Sequence, residues 1–224
     1  MAKENNLNSN KMVQFLDWSY EKAINGLPNT LSAQELAENY LFKHKDVNGA
    51  IDALIAWQNT KAGTSGFLTG LGGVITLPVA IPANLASVLY VQIRMVAAIA
   101  HMRGYDVKDD QVKTLVFLAL TGQAASDILK EFGIRASTLF LKSGIKKIPF
   151  EVIKKINQRV GFRLVTKFGS KGLVNLGKMV PLAGGIIGGT VDAIGTNTIG
   201  KVAKNKLFIK PPNDPPEMLH TVYN

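Results

Sequence analysis

The stretch that decides the fold reads KAGTSGFLTGLGGVITLPVAIPANLASVLYVQIR, residues 61–94. Between Lys61 and Arg94 the chain carries no formal charge from Ala62 to Ile93, a length that suffices to cross a bilayer. Glycines crowd its first half (Gly63, Gly66, Gly70, Gly72, Gly73), and Pro78 and Pro82 follow at a spacing that a continuous helix tolerates poorly. The apolar side chains favour insertion by roughly 3 to 7 kcal/mol. The two prolines, at about 3 kcal/mol each, cancel most of this. The stretch therefore reads as a buried helical hairpin or as an element that dips into a membrane face.

Working outward, the remainder reads as helix and nowhere alternates as a strand would, so the expected fold is all-α. Met12 to Ile24 places Val13, Leu16, Tyr20 and Ile24 on one stripe. Ser32 and Glu35 form a capping box that opens a helix to Lys43. Val47 to Gln58 presents Ile51, Leu54, Ile55 and Trp57 to a core. After Pro82, a helix capped by Asn84 and ending before Gly104 carries Leu85, Val88, Leu89, Met95, Val96 and Ile99 on one face. Asp109 or Asp110 caps a helix from Gln111 to Leu120, and further helices cover Ala124 to Phe132 and Arg135 to Lys147. The expected organisation is an N-terminal helical layer (1–45), a helical domain (46–209) built around two glycine-rich apolar segments, and a proline-rich tail (210–224).

The second such segment runs from Met179 to Gly200, with Asp192 as its only charge. Gly184, Gly185, Gly188 and Gly189 make two overlapping G-x-x-x-G pairs, a spacing that lets helix backbones approach closely. Gly66 and Gly70 repeat it, so the two segments are expected to pack together. Asp192 would then be costly unless paired, with Arg94 as the candidate partner, Lys178 or Lys201 as alternatives, and Thr196, Asn197 and Thr198 one turn further as groups that satisfy it instead.

The net charge of +10 is unevenly placed. Up to Asp127 ten basic residues meet eleven acidic ones, whereas from Lys130 to Lys210 sixteen meet three. Within that half, Lys155, Arg159, Arg163, Lys167 and Lys171 recur every four residues. On one continuous helix they sweep a ribbon about 160° wide, although Gly161 and Gly169 are expected to interrupt it. An anionic phospholipid surface is the expected partner. A merely solvated cationic face is the competing account. Nucleic acid is disfavoured because only 8% of residues are aromatic and none is read as interleaving the ribbon.

Enzyme chemistry finds little support. Cysteine is absent, which excludes thiol nucleophiles and thiolate metal sites. His44, His101 and His220 are isolated, and no metalloprotease, nucleophile-elbow or phosphate-loop motif occurs, so no metal, cofactor or catalytic residue is assigned. The remaining candidate is a polar pocket formed by Gln92, Arg94, His101, Asp192 and Thr196. Gln92 lies mid-face on its helix, where it either ties two helices together or reaches a ligand cavity.

LPVAIPANLASVLYVQIRMVAAIAHMRG (77–104), GFRLVTKFGSKG (161–172) and PLAGGIIGGTVDAIGTNTIGK (181–201) together resemble the EcsC protein family over about Ala50 to Phe208. The resemblance implies a bacterial, mainly helical protein whose namesake is associated with an ABC-transporter operon. It transfers no catalytic residue. With a polar N-terminus lacking the marks of a signal peptide, the chain is expected to be cytoplasmic and peripheral at the inner membrane face. Docking on a membrane transporter complex is a further expectation.

Overall fold

A computed structural model describes residues 7–28, 30–62, 77–135, 142–168 and 195–209. Residues 63–76 of the first uncharged stretch and 179–194 of the second lie outside these residues, with Asp192, Lys171 and the proline-rich tail, so the expected packing of their glycines on one another does too. Among the described residues every regular element is helical and none is a strand. We label them α1 (Ser9–Asn25), α2 (Ala33–Lys43), α3 (Val47–Ala62), α4 (Ala83–Met102), α5 (Asp110–Ala119), α6 (Ala125–Glu131), α7 (Lys142–Lys146), α8 (Phe150–Phe168) and α9 (195–202). A π-helical turn, Ala203–Leu207, follows α9.

The organising element is α4. Its window Leu85–Met102 is long and apolar enough to cross a membrane, yet 83% of it is buried inside the protein, as in a core helix. Helices α1, α2, α3 and α5 pack around it. The transfer of its leucines, valines and isoleucines from water is the main local driving force, at about 25 cal/mol per Å² of apolar surface. Its N-cap is Pro82 rather than Asn84. Proline suits this end because the first N–H groups of a helix have no intrahelical partner.

Local signals place the other helices. The Ser32–Glu35 capping box is present in both directions. Asp109 occupies the N-cap of α5 but its side chain makes no cap bond. Tyr20 of α1 donates to the Val107 carbonyl at 2.6 Å and meets the Phe117 ring edge-on, joining α1 to the approach to α5 and to α5 itself. Burial, and then Asp106, Asp109 and Asp110, push the Tyr20 phenol above its ordinary pKa. Trp57 departs from the expected core stripe and is 51% exposed. It lies about 200° around α3 from Ile55, so the helix cannot bury both against one neighbour.

Gly161 does not interrupt α8. A Cβ there would come within 2.9 Å of both the Ser9 carbonyl and Val13 Cγ2, so glycine lets α8 lie close against α1. The Ser9 hydroxyl donates to the Gln158 carbonyl at 3.0 Å across the same contact. Gly200 of α9 is held as tightly, since a Cβ at that position would fall 2.7 Å from Ile55 Cγ1 of α3. The helices flanking the two glycine-rich segments therefore touch.

Candidate functional site

Ile153, Ile156, Val160 and Leu164 form the buried stripe that fixes α8 on the domain. The same periodicity sends Lys155, Arg159, Arg163 and Lys167 outward, and all four are exposed. They sit on one unbroken helix. Four positions spaced by four residues cover about 120° of its circumference.

Not all of this charge is available. Arg159 Nε donates to Glu131 Oε2 of α6 at 3.0 Å. Elsewhere in the basic half, Lys204 reaches Asp52 at 2.6 Å and Lys146 reaches Asp109 at 3.5 Å. Folding thus pairs Lys204 and Lys146 of the second half with acids of the first, and Arg159 with one of the few acids of its own half. Lys155 and Arg163 have no ion-pair partner among the described residues.

The expectation that no aromatic residue interleaves the ribbon is overturned. Phe162 is 52% exposed and follows Lys155 by seven residues, so it lies about 20° from it around the helix. The Arg159 guanidinium stands 5.8 Å from the Phe162 ring centroid. At the two ends of α8 the ammonium groups of Lys154 and Lys167 lie over the rings of Phe150 and Phe168, at 4.7 and 4.8 Å. A helical projection would have found Phe162. Counting aromatic residues over the whole chain concealed it.

The polar candidates of α4 separate into three places. Gln92, 3% exposed, donates from Nε2 to Thr196 Oγ1 of α9 at 3.1 Å. Gln92 Oε1 has no hydrogen-bond partner among the described residues. Arg94, 5% exposed, points elsewhere: it donates to the Leu31 carbonyl at 3.2 Å and lies over the Tyr90 ring. Burial pulls its guanidinium below the ordinary pKa, an effect that Tyr90 partly offsets. His101 faces Glu38 of α2 at 3.9 Å. Of the described members of the expected pocket, only Gln92 and Thr196 are brought together, and Asp192 lies outside the described residues. No cluster of three or more potential metal ligands occurs among the described residues.

The fold and this surface define a helical domain wrapped on one buried central helix, with a cationic, aromatic-bearing helix on its outside. The chain belongs to the EcsC protein family, whose model matches residues 9–208. That match takes in α1 and α2, which the resemblance read from the sequence left out. No curated protein and no solved structure matches the chain.

Proposed function

We propose that this chain is a peripheral protein of the cytoplasmic membrane face and that α8 is the element that meets anionic phospholipid. The observation that carries this reading is Phe162, a half-exposed apolar ring set among Lys155, Arg159 and Arg163. On a merely solvated cationic face the phenyl group gains only its contact with Arg159. An interfacial helix uses one, because cations gain about 1 kcal/mol each near an acidic surface while the ring sinks below the head groups. Lys155 and Arg163 supply charge at no cost to an internal ion pair, whereas Arg159 has to be shared with Glu131.

The test is flotation of the full chain with phosphatidylglycerol and phosphatidylcholine vesicles. Wild-type protein should float with the former only. Replacing Lys155, Arg159, Arg163 and Lys167 by Gln should weaken binding at least tenfold. Unchanged flotation would refute the proposal, and co-purification with a membrane complex without lipid affinity would favour transporter docking.

A further inference from the structure

On the opposite edge of α8 from the ribbon, a cleft of about 410 Å³ opens between α8, α1 and the start of α5. This is within the range of about 300–1,000 Å³ usual for small-molecule sites. Four amide side chains line it, Asn10 and Gln14 from α1 with Asn157 and Gln158 from α8. Their convergence follows from the close approach of the two helices at Gly161.

The charges along the cleft cancel. Asp17 and Lys113 pair at 2.6 Å, and Asp110 and Lys154 add one of each sign. An ionic ligand therefore has no excess of opposite charge to meet. Each amide instead offers two donors and an acceptor, the complement of a hydroxyl that both donates and accepts. Val13 and Ile153 add apolar wall, and Phe150 adds a half-exposed ring on which the C–H face of a saturated ring can pack.

One further atom points to a ligand. Asn157 Oδ1 is withdrawn from solvent and has no hydrogen-bond partner among the described residues. A buried acceptor left in that state is a cost, and at the wall of this cleft a ligand hydroxyl would offset it.

We propose that this cleft binds a neutral polyhydroxyl group, a sugar ring or cyclic polyol, either free or carried as the head group of a glycolipid. The site shares no residue with the cationic ribbon, so it stands whether or not α8 meets a membrane. Saturation-transfer NMR of the full chain with methyl β-D-glucopyranoside and with myo-inositol tests the free source. Flotation with neutral phosphatidylcholine vesicles, with and without glucosyl-diacylglycerol, tests the lipid-borne one.

Transfer to ring protons, or retention by glycolipid vesicles alone, is expected. Asn157→Leu should abolish it while leaving Tm unchanged or raised by about 2–4 °C, because an unpaired buried acceptor is removed. Gln14→Ala, an exposed change, should weaken binding several-fold, and the four-Gln ribbon variant should leave it intact. Absence of binding to all probes, or binding unaltered by both Asn157→Leu and Gln14→Ala, would overturn the proposal.

Discussion

The side-chain amide of Gln92 donates to the hydroxyl of Thr196 across 104 positions of sequence, and both groups are buried. This bond ties the central helix to the helix that follows the second glycine-rich segment. Removing one partner should hurt more than removing both. Thr196→Val leaves the Gln92 amide buried with neither end satisfied by a described residue, at about 1–3 kcal/mol. The double variant Gln92→Leu/Thr196→Val should regain most of that loss. Urea denaturation of the two single variants, the double variant and wild type, read as a double-mutant cycle, checks this.

Gly161 should not accept a methyl group. In an exposed helix Gly→Ala gains about 0.5–1 kcal/mol. Here the new atom would lie 2.9 Å from the Ser9 carbonyl, a backbone atom that cannot swing aside. Forcing α1 and α8 apart should outweigh the gain and leave Gly161→Ala less stable by about 1–3 kcal/mol. A thermal melt showing equal or higher stability would contradict the close packing of these helices.

How far the sequence alone can see depends on whether a feature is local. The Ser32–Glu35 box is legible because both partners lie within one turn, and the start of α3 and the course of α8 are legible from periodicity. The expected break at Gly161 fails because the helix-weakening effect of glycine is local while its benefit, the approach of α1, is tertiary. Gln92 and Thr196 are expected in one pocket and do meet, yet nothing in the sequence fixes the bond between them or sends Arg94 towards Leu31. The cleft beside α8 is invisible for the same reason, since its amides come from helices far apart in the chain.

The capping box carries a pH dependence of fixed sign. The Ser32 backbone N–H donates to Glu35 Oε2 at 2.8 Å, and this bond, followed by that with the Ser32 side chain, holds the Glu35 carboxyl below its ordinary pKa. A carboxylate with a lowered folded-state pKa stabilises fully above its unfolded value, about 4.3, and loses that contribution as pH falls through the folded value. Glu35→Gln keeps an oxygen acceptor but no charge. The variant should melt below wild type near neutral pH, and the gap should close as the pH is taken below about 4. A gap independent of pH would show that the charge contributes nothing.

Phe162 and the ribbon cations should separate by salt. Attraction between exposed charges and an anionic surface is screened over about 10 Å at 0.1 M salt and about 3 Å at 1 M. The burial of a phenyl ring is not screened, and full burial contributes about 1.5–3 kcal/mol. Phe162→Ser should therefore bind phosphatidylglycerol vesicles at low salt with affinity reduced about tenfold or more, and should detach at high salt where wild type retains a residue of binding. The four-Gln variant should behave oppositely, weak at low salt and nearly indifferent to added NaCl. Vesicle partition coefficients at the two ionic strengths check both. If Phe162→Ser and wild type show the same affinity and salt slope, the ring does not enter the lipid, and the exposed aromatic that distinguishes α8 from a solvated cationic helix loses its explanation.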